Sequence, residues 1–265
     1  MIKEASKCGV DYVKFQKRDN KLLLGKDFDK PHPIPENSYG KTYGLHREYL
    51  EFSFDQHLSL IKHCKLNRVK YAVSVWDVNS AKEFCKKKYK LDYIKVPSAC
   101  NNNFELLKIL RDKFKGKVHI STGMTFRSEI KKIYDFFKRK KKNRKLVFYA
   151  CTSDYPVKNE DICLLELQNL KKKYKDIYSI AFSGHHLGIA IDNIAYALGA
   201  NYIERHFTLD RTWKGTDHAA SLEPQGLSKL SRDLIASFKS LRLKNKSGLL
   251  DCEKFQRKKL KSIFL

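Results

Sequence analysis

Seven short runs rich in β-branched and aromatic residues punctuate the chain: DYVKFQ (11–16), KYAVSVW (70–76), DYIKVPS (92–98), KVHISTG (117–123), KLVFYACTS (145–153), YSIAFSGH (178–185) and NYIERHF (201–207). Between them lie longer segments whose apolar residues recur at helical spacing, among them NNFELLKILRDKF, FRSEIKKIYDFFKRK, DICLLELQNLKKKY and LGIAIDNIAYALG. This alternation constrains the fold more than any other feature. Strands that each return through a helix must run parallel, and a parallel sheet needs both faces covered. Asn or Asp stands where several helices need an N-cap, and Gly199 sits where one should stop. Doubly wound sheets and barrels both obey the pattern. Seven strands favour an α/β fold of the (β/α)8 TIM-barrel type, one strand short. MIKEASKCG reads as the tail of an amphipathic helix ending at Gly9, so the expected first strand lies upstream of Met1, in a partner, or is lost.

The expected organisation is a barrel domain over residues 1–244, incomplete at its N-terminus, and a basic tail over 245–265. The long connection from Arg18 to Tyr49, with Pro31, Pro33 and Pro35, suits a lid over the barrel mouth. At 265 residues the chain can bury a sizeable core. No apolar run approaches the roughly 18 residues that would span a bilayer, and the opening residues lack a secretory signal. Seven cysteines without a CxxC pair argue against a disulfide framework and a zinc knuckle, and suggest a reducing cytoplasm. A formal net charge of +25 raises the question of a polyanion partner. The lysines are spread over many helical segments without an RNA-binding signature, which disfavours nucleic acid and fits solvated helix faces and small anionic substrates.

In parallel β/α folds the ligand lies at the C-terminal ends of the strands. Those ends are unusually polar here. Period-two alternation puts Lys14 and Gln16 on one face, Lys95 near the end of its strand, Ser98 just after it, and Ser121, Ser153 and Ser183 at later ends. Ammonium groups and hydroxyls converging from several strands make an oxyanion-binding mouth. A strand-end serine alone could equally cap the next helix.

SGHHLGIAIDNIAYALGANYIERHF (183–207) holds three histidines. Alternation sets Ser183 with His185, and Tyr202 with Glu204 and His206, so His185 and His206 can both reach the mouth. His186 points elsewhere or caps the helix. Adjacent strands are about 4.8 Å apart and metal–imidazole bonds about 2.1 Å long, so one divalent ion could touch both rings. The same spacing also suits two neutral, hydrogen-bonded histidines near the core; Glu204 and Asp217 close by favour a site.

VKFQ (13–16), SVWD (74–77), IKVPSACNNNFELL (94–107), STGM (121–124), CTSDYPV (151–157), SGHHLGIAI (183–191) and IERHFTLDRTWKGTDHAASLEP (203–224) together resemble the sialic acid synthase family, the N-acetylneuraminate synthases and their bacterial relatives. The resemblance implies a barrel that condenses phosphoenolpyruvate with the open-chain aldehyde of an N-acetylmannosamine-like sugar and releases phosphate by C–O cleavage. It implies that Lys14, Lys95, Ser98, Ser121, Ser153 and Ser183 hold phosphoenolpyruvate, that His185 and His206 ligate Mn2+ or Mg2+, that Asp217 moves a proton near metal and sugar, and that Tyr155 lies at the substrate. It also suggests a homodimer. The chain departs from the family in lacking the initial strand with its glutamate and Asn-His pair, and the C-terminal antifreeze-like domain that lends an arginine to the partner's site. Cys100 stands where a carboxylate is usual, and Gly184 where an aspartate often precedes the first metal histidine. Two other readings stay open on sequence alone: a noncatalytic fragment completed by another chain, and a basic polyanion-binding protein.

Overall fold

The computed structural model describes residues 1–261. Seven strands form one sheet in chain order: β1 (Tyr12–Lys17), β2 (Lys70–Val75), β3 (Tyr93–Val96), β4 (Lys117–Ser121), β5 (Leu146–Ala150), β6 (Ser179–Gly184) and β7 (Ile203–Arg205). Every neighbouring pair is parallel. The helices are α1 (Ile2–Lys7), α2 (Asn20–Leu24), α3 (Tyr43–Tyr49), α4 (Phe54–Leu66), α5 (Val78–Phe84), α6 (Phe104–Lys113), α7 (Arg127–Lys138), α8 (Glu166–Lys173), α9 (Ala190–Ala197), α10 (Pro224–Ser240) and α11 (Asp251–Lys261). None of the described helices is long and apolar enough to cross a membrane.

Contacts across the concave face show that the sheet is curled into a barrel. Tyr93 of β3 stacks on His119 of β4 at 3.9 Å, and the Tyr202 ring, just before β7, meets His119 edge-on at 4.8 Å. Higher up, Lys95 of β3 reaches Glu204 of β7 at 2.7 Å. Strands four positions apart in a flat sheet would lie roughly 19 Å apart. The hydrogen-bonded ladder begins at β1 and ends at β7, so these described residues supply seven of the eight strands of the (β/α)8 design. The main apolar core lies outside the sheet, where residues such as Val73, Ile94, Leu106, Ile120, Phe137 and Phe148 are buried between strands and helices.

Helix starts follow local chemistry. Asp77 and Asn103 cap α5 and α6 by accepting from Ser80 N and Leu106 N at 2.7 and 3.0 Å. The segment YLEFSFDQHLSLIKHC (49–64) has apolar residues at helical spacing throughout, yet α3 ends at Tyr49 and α4 opens only at Phe54, where Ser53 and Gln56 form a reciprocal capping box. Cys163 adopts a left-handed φ of 50°, so the expected helix over 161–174 begins only at Glu166. The connection over 18–49 is a docked layer carrying α2 and α3. Tyr39 OH donates to Lys214 O at 2.7 Å, and Gly215 N donates to Asn37 Oδ1 at 3.2 Å. The described part of the expected basic tail carries α11, whose residues are all outside the core; residues 262–265 lie outside the described range.

Candidate active site

The C-terminal strand ends gather most of the sequence-predicted residues into three groups. In the first, Glu204 is a shared counter-ion. Its Oε1 accepts from Lys95 Nζ at 2.7 Å and from Ser183 Oγ at 3.1 Å, while Lys14 Nζ lies 3.7 Å from Oε2. Burial alone would raise the Glu204 carboxyl, but Lys14 and Lys95 outweigh it and hold the group well below the usual carboxylate range. Burial likewise pushes Lys14 below its ordinary value, against the pull of Glu204. Two ammoniums sharing one carboxylate leave a surplus positive charge inside the mouth. Gln16, at the end of the same face of β1, is exposed and accepts from Arg18 Nη2 at 3.0 Å.

The second group surrounds Gly123. A Cβ there would lie 2.4 Å from Ser153 Oγ, 2.9 Å from Ser98 Oγ and 3.0 Å from Cys151 Sγ. The absent side chain thus leaves room for two hydroxyls from different strand ends to face each other. Ser121, buried at the end of β4, passes its carbonyl to Asn101 Nδ2 at 2.9 Å, which ties the β3 and β4 ends together. Cys100 is turned away from these groups, donating to Trp76 O at 3.1 Å.

His185 and His206 form the third group, with ring centroids 5.5 Å apart. Tyr155 packs against both, at 4.2 and 5.8 Å, and Asp217 Oδ2 lies 3.7 Å from His206 Nδ1. His185 Nδ1 bonds Thr152 O at 2.7 Å. A carbonyl only accepts, so the proton sits on Nδ1 and the lone pair on Nε2. Burial lowers the His185 pKa to about 4 and lowers that of His206 too, the latter against the opposing charge of Asp217. Both imidazoles are therefore neutral near pH 7, as ligands must be. Among the described residues no set of three or more His, Cys, Asp or Glu encloses a single point. The two rings fit a divalent ion as a partial ligand set, with the other positions left to substrate oxygens and water. His186 does point elsewhere: it is fully buried on the helix side of the sheet.

In the sequence Glu204 is legible only as a neighbour of the histidines, because its role as counter-ion depends on the curl that brings β1, β3 and β7 together. Neither Gly123 nor a basic group where the 18–49 layer meets the loop after β7 is legible in the strand pattern. Arg18 lies over Trp76, with Cζ 3.9 Å from the ring centroid, and Arg47 lies over Tyr43 at 4.9 Å. Lys214 Nζ lies 5.0 Å from the Tyr39 ring centroid. Burial, and then the charge of Arg47, lowers Arg18 to about 10. The only local signal is Arg18 at the start of a Pro-containing connection that also carries Arg47.

The chain matches the NeuB family over residues 1–246. It is 39% identical over 254 residues to human N-acetylneuraminate-9-phosphate synthase, covering 96% of this chain and 68% of that protein. It is 32% identical to N,N'-diacetyllegionaminic acid synthase of Campylobacter jejuni, covering 87% of this chain and 68% of that one. The solved structure of N-acetylneuraminic acid synthetase from Leptospira borgpetersenii, in complex with citrate, superposes with a TM-score of 0.80 at 27% identity, covering 98% of this chain and 85% of that chain. With a matching fold, and a family match across nearly its whole length, the chain belongs to the NeuB family of sialic acid synthases and is a phosphoenolpyruvate-dependent condensing transferase of that type.

Proposed function

We propose that this chain condenses phosphoenolpyruvate with the aldehyde of an N-acetylmannosamine-type sugar to give a nonulosonic acid and phosphate. The observation that carries the reading is the convergence of the Lys14–Glu204–Lys95 cluster with the facing pair His185 and His206 at one barrel mouth. Lys14 and Lys95 neutralise the carboxylate and phosphate of phosphoenolpyruvate, and Ser98, Ser121, Ser153 and Ser183 offer it directional hydroxyls. C3 of the enol attacks the aldehyde carbon, water adds at C2, and the bond from C2 to the phosphate oxygen breaks. Tyr155, whose hydroxyl burial holds protonated with a pKa of about 12, packs over the reacting aldehyde as a donor. Asp217 accepts or returns a proton beside His206. His185 and His206 would hold Mn2+ or Mg2+, which supplies Lewis-acid polarisation of the aldehyde oxygen when bound. Seven unpaired thiols suit the reducing cytoplasm.

A specific observation favours a phosphorylated acceptor over a free sugar. Arg18, Arg47 and Lys214 crowd the lid next to Asp217, and the human relative is named for a 9-phosphate product. Purified chain incubated with phosphoenolpyruvate, Mn2+ and either N-acetylmannosamine or its 6-phosphate tests both statements by mass spectrometry. The expected product is the nine-carbon acid, formed faster from the phosphate, with Arg18→Ala raising KM for the phosphorylated sugar roughly tenfold and sparing KM for phosphoenolpyruvate. Absence of any nine-carbon acid refutes the condensation, and equal use of both sugars refutes the phosphate preference.

A further inference from the structure

Glu204 and His206 face the barrel mouth, so Arg205 between them faces the helices. Its guanidinium, 2% exposed, meets Asp192 Oδ2 of α9 at 2.5 Å. Nη1 also donates to Gly188 O at 2.8 Å and lies 3.1 Å from His186 Nε2, while Nη2 donates to His186 O at 2.6 Å. One side chain of β7 thereby grips two backbone carbonyls of the loop that runs from β6 to α9. That loop begins with His185. Its turn is tight because Gly184 has no side chain: a Cβ there would lie 2.7 Å from His186 Cε1 and 2.9 Å from its Nδ1. The His186 ring occupies this space and lies 3.4 Å from the same Asp192 oxygen.

This cluster is not built for stability. Asp192 Oδ1, His186 Nδ1 and Arg205 Nε are each buried without a hydrogen-bond partner. A buried ionic cluster left partly unsatisfied is commonly less stable than apolar packing of the same volume. Its geometric effect is specific: it fixes the β6–α9 loop to β7 through residues adjacent in the chain to His185 and to His206.

We propose that Arg205, held by Asp192 and seated by the His186 ring over Gly184, is a positioning residue that sets the separation and aim of His185 and His206 for one divalent ion. The inference rests on reading those two histidines as metal ligands. Outer-shell groups that orient metal histidines typically change affinity by about 10–100-fold when removed. It also accounts for glycine at position 184: the space a side chain would fill belongs to His186.

The test is Mn2+ affinity of the purified chain without substrates, read by electron paramagnetic resonance of the free ion, for wild type, Arg205→Lys, Asp192→Asn and Gly184→Ala. Thermal stabilisation by inorganic phosphate is read in parallel, because it reports the lysine cluster. Expected is a Kd for Mn2+ raised at least about tenfold in each variant, with the stabilisation by phosphate retained. Gly184→Ala displaces the His186 ring without removing a charge, and it carries the test if the charge variants fail to fold. Folded variants that bind Mn2+ like wild type overturn the inference. A wild-type chain that takes up no Mn2+ while still being stabilised by phosphate overturns instead the two-histidine reading beneath it, and the inference with it.

Discussion

Replacing Glu204 by Gln removes the carboxylate that Lys14 and Lys95 share while keeping its shape and an acceptor for Ser183. The carboxylate lies 2.7 Å from one ammonium and 3.7 Å from the other. At an effective dielectric of about 20, each pair attracts by roughly 4–6 kcal/mol, and desolvation of the three groups consumes much of this. Removing one partner from a buried pair costs about 3–5 kcal/mol, because the remaining charge stays buried and unpaired. A chain of this size loses about 2–4 °C of Tm per kcal/mol, so Glu204→Gln should melt on the order of 10 °C lower. Lys14, already below its ordinary pKa through burial, should then lose its proton more readily still. An anion that settles between the lysines replaces the lost charge. Differential scanning calorimetry with phosphate or phosphoenolpyruvate, against chloride at equal ionic strength, should therefore show a larger gain in Tm for the variant than for wild type. A variant within about 2 °C of wild type, or one gaining no more from phosphate than wild type does, would refute the claim that Lys14 and Lys95 form an anion site balanced by Glu204.

Gly123→Ala places a methyl group 2.4 Å from Ser153 Oγ, so the hydroxyls must separate; KM for phosphoenolpyruvate should rise roughly tenfold or more with little change in KM for the sugar, as steady-state kinetics would reveal. Two buried histidines predict an acid-side loss of stability. Burial pushes His57 to about 4 and His119 to about 3, against 6.5 for a free ring. The unfolded chain then binds more protons between those values, so stability is full above pH 6.5 and falls as the pH drops. By pH 5 each ring costs about 2 kcal/mol, which urea unfolding at pH 7 and 5 would register. Ring NMR signals of His57 and His119 should remain those of neutral imidazole at pH 5, and a midpoint near 6.5 would contradict the burial argument.

All seven strands and the main helices were legible because β/α alternation writes its period into the chain: VKFQ, IKVPS and SGHH each place side chains inward and outward by simple alternation. The pairing of His185 with His206 was legible for the same reason, since β6 and β7 are sequential neighbours. What alternation cannot convey is closure. Whether Lys95 and Glu204, 109 residues apart, touch depends on the curl of the whole sheet, and the packing of Ser98 and Ser153 around Gly123 depends on three loops meeting. The helices of the 18–49 connection were hidden because its residues mix prolines, charges and aromatics without a sustained period. The place of His186 was hidden too: the choice between a cap and a buried partner is made by Arg205 and Asp192, 19 and 6 residues along the chain, as the hydrogen bonds show only in three dimensions.

The most direct measurement is phosphate release from phosphoenolpyruvate by the purified 265-residue chain, with and without an N-acetylmannosamine-type acceptor, with and without Mn2+, alongside His206→Ala. Release that requires acceptor, metal and His206 together is the predicted result. Release without the sugar, or undiminished release by His206→Ala, would contradict the account.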